Sequence, residues 1–149
     1  PAAIPELRRL AAQIRRATEQ TPTVREHGGL DSVIFTGPPN DPEAHLRNVA
    51  VAASGAVDRS ASATGTSAVM AVLDAMGLLQ DDQPFVHESL VGTLHRGMVA
   101  RRTQVSEVPA IVPVVEGSAW ITGEHTFYID EDDPLRDGIA LLNHDAHSR

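Results

Sequence analysis

Residues 46–76 constrain the fold more than any other stretch of the 149-residue chain. Residues 46–53, with Val49 and Val51, read as a buried strand. The chain then runs Val-Asp-Arg-Ser into Ala, Ser, Ala, Thr, Gly and Thr, after which Val69, Val72, Leu73 and Met76 recur at i, i+3, i+4 and i+7. An apolar run, a cluster of small residues and then a period near 3.6 spell strand, turn and helix. The helix predicted from about Thr66 to Met76 is apolar enough to be core, and Gly77 fits its left-handed cap.

Other segments fall into place around this unit. Leu7, Leu10, Ala11 and Ile14 share one face of a helix predicted over 5–19, with Arg8, Arg9, Arg15 and Arg16 on the other side. Residues 32–35 read as a short strand closed by Gly37, Pro38 and Pro39. Beyond Gly77 come β-like runs at 85–91, 94–101, 110–115, 119–122 and 126–129, separated by Gly, Pro and acidic residues. Trp120, inside one of these runs, is expected in the core. The pattern predicts one mixed α/β module spanning 1–149, β-rich in its second half.

Charge and residue usage remove several function classes. Asp and Glu outnumber basic residues 20 to 12, and a net charge of −8 opposes a broad phosphate-binding surface, so nucleic acid is not an expected partner. All the basic residues are Arg, which excludes an internal Lys Schiff base and a P-loop Lys. Without Cys there is no disulfide, thiolate nucleophile or cysteine-ligated zinc in this chain. No apolar run reaches the roughly 18 residues of a membrane span, and the first residues lack the pattern of a secretion signal, so a cytoplasmic location without membrane partners is expected. The run Asp130, Glu131, Asp132, Asp133 before Pro134 reads as a solvated turn rather than a cation site. His144 and His147, three apart in a polar tail, receive no ligand role, and no metal is expected.

The chemistry is concentrated in residues 58–68. A small-residue turn entering a helix exposes backbone N–H groups, and the helix dipole favours an anion there by roughly 0.3–1 kcal/mol. Such a turn suits a carboxylate, and Asp58, four residues before Ser62, supplies an acceptor for an amine. Spacing alone describes an ordinary helix start capped by Ser or Thr even more simply.

The sequence Asp-Arg-Ser-Ala-Ser-Ala-Thr-Gly-Thr-Ser-Ala at 58–68 resembles the Asp-Arg-Ser-Pro-Cys-Gly-Thr-Gly-Thr-Ser-Ala signature of the proline racemase family, which includes hydroxyproline epimerases and trans-3-hydroxy-L-proline dehydratases. The resemblance extends to Arg47-Asn48-Val49, Glu88-Ser89-Leu90-Val91-Gly92, Ile111-Val112-Pro113, Gly117-Ser118-Ala119-Trp120-Ile121-Thr122-Gly123 and Asp132-Asp133-Pro134-Leu135, in the family's order. It implies one lobe of a diaminopimelate epimerase-like fold, an α/β arrangement of curved, mostly antiparallel strands around a central helix, and cofactor-independent chemistry at the α-carbon of a small amino acid or similar carboxylate. Family members have two similar lobes, each with one catalytic Cys, and this chain resembles only the C-terminal half. The implied partner is an N-terminal proline racemase-like lobe carrying a catalytic Cys.

Position by position, the resemblance makes Asp58 the contact for the substrate amine and gives the backbone of Ala63, Thr64 and Gly65 to substrate binding. Ser62 stands where the second catalytic Cys belongs. A serine hydroxyl is far less acidic than a thiol of pKa about 8.5, and no His or Lys adjoins it in sequence. Ala61 replaces Pro, Ala63 replaces Gly, and Ala52 stands where an aromatic residue is common, so the implied ligand pocket differs from that of proline. Family dehydratases carry a hydroxyl residue, usually Thr, at this position, and β-hydroxyl loss begins with a single base. Two expectations follow: half of an isomerase or lyase, or a non-catalytic subunit that binds a ligand or stabilises its partner.

Overall fold

A computed structural model describes residues 2–26, 28–79 and 83–138. They form α1 (Ile4–Thr18), α2 (Pro22–Glu26), β1 (Ser32–Gly37), β2 (Leu46–Ala52), α3 (Ala63–Ala75), β3 (Phe85–Glu88), β4 (Leu94–Val105) and β5 (Val108–Glu116). The described residues up to 119 make one compact unit and those from 120 to 138 a second.

The five strands of the first unit form one sheet in chain order, antiparallel at every junction except β2–β3, which is parallel. That exception follows from α3, because a helix between two strands carries the chain back to begin the next strand in the same direction. In the β1–β2 register, Ile34 faces Ala50 and Phe35 faces Val49. In the β3–β4 register, His87 faces His95 and Phe85 faces Gly97. β4 and β5 are joined through Ser106 and Glu107, both at positive φ (46° and 69°), as a two-residue type I′ hairpin requires.

α1 begins with Pro in its first turn, has Glu6 there and Arg15 and Arg16 in its last, as the helix dipole favours, and packs on β1 and β2 with Ala11 buried. The Arg15 guanidinium donates to the Ala53 carbonyl at 2.6 Å. α3 packs on β4 and β5, with Met70 against Gly97 of β4 and Thr66 against His87 of β3, both without solvent exposure. Gly97 permits this approach, since the Met70 sulfur occupies the space a Cβ there would need.

The structure corrects which face of the apolar helix is buried. Val72 and Met76, expected in the core, are exposed at 59% and 64%. A helix on a single sheet buries one stripe, here Gly65, Thr66 and Met70. The other apolar positions therefore point away. Gly77 has the expected left-handed backbone, with φ 69°.

Trp120 is also corrected: it is 73% exposed, and the runs at 119–122 and 126–129 are not strands. Ile121, Phe127, Tyr128 and Ile129 are exposed with it. A strand forms only where another strand bonds its backbone, and among the described residues these runs have no such partner. The acidic run caps turns, with Asp130 and Asp133 side chains accepting the N–H groups of Asp132 and Leu135. His144 and His147 lie outside the described residues.

Candidate active site at the start of α3

The turn leaves the sheet at a fixed point. Val57 bridges Val51 of β2, and the Asp58 N–H donates to the Ala50 carbonyl at 2.9 Å. From there a run of short-range hydrogen bonds leads into the helix. Asp58 Oδ1 accepts from the Ser60 N–H at 2.9 Å and lies 3.0 Å from the Ser60 hydroxyl, which donates to it. The Ser60 oxygen in turn accepts from the Ser62 N–H at 3.1 Å. Ser62 Oγ accepts from the Gly65 N–H at 3.1 Å, and the Ser62 carbonyl accepts from the Thr66 N–H at 2.7 Å.

Ser62 is thus the N-cap of α3, and it sits at φ 54°, ψ 111°, a backbone region that disfavours any side chain. The next two residues, Ala63 and Thr64, are exposed, and their N–H groups have no protein acceptor among the described residues, as expected in a first helical turn. Gly65 differs from them. It is buried, its N–H is spent on Ser62, and a Cβ there would come within 2.9 Å of Ile34 Cδ1 and 3.1 Å of Ser62 Oγ. The structure therefore presents Asp58, Ser62, Ala63 and Thr64 on one turn and withdraws the Gly65 amide from ligand contact. Asp58, Ala63 and Thr64 lie on open surface, apart from the cavity of about 250 Å³ lined by His45, Leu46, Leu73 and Phe85.

Behind the turn lies a buried polar cluster that sequence reasoning missed. The Asn48 side-chain amide donates to the Ala61 carbonyl at 2.8 Å, and the Thr66 hydroxyl donates to the same carbonyl at 3.1 Å. His87 Nδ1 lies 3.2 Å from the Asn48 amide nitrogen and 3.1 Å from the Thr66 hydroxyl. Burial, reinforced by the charge of neighbouring His95, lowers the His87 pKa to about 4, so the ring is neutral at pH 7. Asn48 Oδ1, His87 Nε2 and His95 Nδ1 are buried without a partner among the described residues. Asn48 and Thr66 fall inside the motif blocks quoted above, and His87 adjoins one. Their polar character at positions facing the core was the available signal.

Glu88, beside His87, has a structural task. Its carboxylate accepts the N–H groups of Asn40 and Asp41 at 2.6 and 3.1 Å and lies 3.6 Å from the Arg47 guanidinium. Arg47 also donates to the Leu90 carbonyl at 2.7 Å. Among the described residues, no group of three or more His, Asp or Glu is arranged to hold a metal ion.

The family model described as "Proline racemase" matches residues 2–140. The chain belongs to the proline racemase family. It is 44% identical over 122 residues to a proline racemase from Clostridioides difficile and 42% identical over 122 residues to a 4-hydroxyproline epimerase from Brucella ovis. Each match covers 82% of this chain but only 36% and 37% of the relatives. The chain thus spans little more than a third of their length. Among solved structures, a probable proline racemase from Agrobacterium radiobacter with bound carbonate superposes with a TM-score of 0.71 at 26% identity, over 94% of this chain and 42% of that one. A hydroxyproline epimerase from Agrobacterium vitis, bound to trans-4-hydroxy-L-proline, gives the same TM-score and identity over 96% and 42%. The mixed α/β fold expected from the sequence is the family's fold.

Proposed function

We propose that this chain supplies the carboxylate- and amine-binding half of a cofactor-independent isomerase or lyase site, completed by an N-terminal proline racemase-like lobe carrying a catalytic Cys. The observation that carries the reading is the pair of open N–H groups on Ala63 and Thr64, joined by one hydrogen-bonded turn to the carboxylate of Asp58. Two aligned donors at a helix start suit a carboxylate, and an exposed Asp suits an ammonium. A substrate with both groups on one carbon is an α-amino acid, and the family names point to proline or a hydroxyproline.

In this reading the α-proton is removed from the face opposite the turn, by the partner's thiolate. Negative charge developing next to the carboxylate is balanced by the Ala63 and Thr64 N–H groups and the α3 dipole. Asp58 fixes the amine. Ser62 faces the ligand without acting as a strong base, because its oxygen already accepts the Gly65 N–H and among the described residues no basic side chain is bonded to it. One-base chemistry then suits a 3-hydroxyproline: the α C–H pair becomes the Cα=Cβ bond, the β C–O bond breaks, and the hydroxyl leaves as water after gaining a proton. Return of the proton to the opposite face, as epimerisation requires, lacks a thiol on this side.

A second reading, a non-catalytic subunit, is favoured by that same commitment of Ser62 Oγ to helix capping. No helix among the described residues is long and apolar enough to cross a membrane. Assaying α-proton exchange in deuterated water with proline, 3-hydroxyproline and 4-hydroxyproline, for the chain with its complementary lobe, separates the two. Exchange supports the catalytic reading. Ligand binding without exchange supports the other.

A further inference from the structure

The positive φ of Ser62 calls for a physical cause. A non-glycine residue stays in such a region only when its surroundings over-determine it, and here the restraint lies on the peptide plane between Ala61 and Ser62. The carbonyl of that plane receives two buried hydrogen bonds, from Asn48 Nδ2 at 2.8 Å and Thr66 Oγ1 at 3.1 Å. Its N–H, on the opposite edge, donates to Ser60 Oγ at 3.1 Å. Because a peptide unit is rigid and planar, bonds on both edges prevent it from flipping. Released, the plane would rotate, Ser62 would relax towards negative φ, and its hydroxyl and the following N–H groups would turn away.

We propose that Asn48, Thr66 and His87 are positioning residues that hold this peptide plane, and through it set the direction of Ser62 Oγ and of the Ala63 and Thr64 N–H groups. Donor counting gives His87 its part. The Asn48 amide has two hydrogens, and with Nδ1 of His87 as an acceptor they go to Nδ1 and to the Ala61 carbonyl. The single Thr66 hydroxyl proton is then left for the same carbonyl. The Asn48 amide nitrogen can only donate, so Nδ1 of the neutral ring is assigned as the acceptor and the ring proton to Nε2. His87 and the Ala61 carbonyl together hold the Asn48 amide in this direction. All three side chains are buried, at 0–3% exposure, where a lost hydrogen bond is not replaced by water.

The proposal deepens the carboxylate-binding reading and rests on it only for its functional meaning, so the test reads the turn both with and without ligand. In the isotopically labelled full chain, NMR would follow the Ala61 carbonyl ¹³C shift and hydrogen exchange of the Gly65 amide, with Met70 amide exchange as the reference for α3. Thr66→Val should speed Gly65 exchange at least tenfold relative to Met70 and move the Ala61 carbonyl signal, and Thr66→Ser should restore both. Asn48→Ser should do the same as Thr66→Val, and decides the matter if Thr66→Val does not fold. Gly65 exchange within twofold of wild type in the variants, or equal loss of protection at Gly65 and Met70, would overturn the proposal. A wild-type chain whose Ala63 and Thr64 signals ignore L-proline, 3-hydroxyproline and 4-hydroxyproline alike in the presence of the complementary lobe, while Thr66→Val still loosens Gly65, would refute the binding reading and leave the positioning role standing.

Discussion

Acidification should destabilise this protein through His87. The folded chain keeps the ring neutral down to about pH 4, whereas an ordinary histidine gains its proton near 6.5. Between those values the unfolded chain binds more protons, so this contribution is fully present above pH 6.5 and is lost as pH falls towards 4. Each pH unit inside the window is worth about 1.4 kcal/mol, giving a loss of about 2 kcal/mol between pH 7 and pH 5. For a chain of this length that corresponds to a fall in Tm of about 4–8 °C. Thermal unfolding followed by circular dichroism at pH 7, 6 and 5, for wild type and His87→Gln, isolates the effect, since every other titrating group is common to both. The variant should start lower but have the flatter dependence. Parallel Tm-versus-pH lines for the two proteins would show that His87 is not the group responsible.

Three further outcomes are expected. Ser62→Ala should cost about 1 kcal/mol through loss of the cap while keeping the disfavoured backbone, and Ser62→Gly should cost little because glycine tolerates positive φ; chemical denaturation of both variants checks the order. Replacing Ser106-Glu107 by Asn-Gly should raise stability by about 1 kcal/mol, as both residues hold positive φ in the hairpin, and an unchanged unfolding midpoint would count against that turn. Asp58→Ala should weaken binding of whichever of L-proline and the two hydroxyprolines the two-lobe complex takes at least tenfold by calorimetry with little change in Tm, because the side chain is exposed and among the described residues bonds only to Ser60.

The elements that were legible in the sequence are those whose pattern matches their surroundings. α1 followed from its two-sided charge and apolar pattern, and β1 to β5 from β-branched runs between turn residues. α3 was found, but its buried stripe was misjudged because nearly every position is apolar or small, and periodicity cannot choose a face when both qualify. Thr66, not Val72, meets the sheet, because the Ala61 carbonyl needs its hydroxyl. Trp120 misled for a different reason: an apolar strand pattern states a demand for a partner strand, and none bonds to it among the described residues. The turn at 58–65 was readable from its small residues and hydroxyls. Its supports, Asn48 and His87, come from strands remote in sequence, and only the folded register brings them to Ala61.

The most direct test is α-proton exchange in deuterated water with proline and the two hydroxyprolines, comparing the chain alone, an N-terminal family lobe alone and the two mixed. Exchange that appears only on mixing, and falls sharply with Asp58→Ala, is the expected result. Exchange by this chain alone, or by a mixed complex indifferent to Asp58, would contradict the assignment of the turn as one half of a shared site.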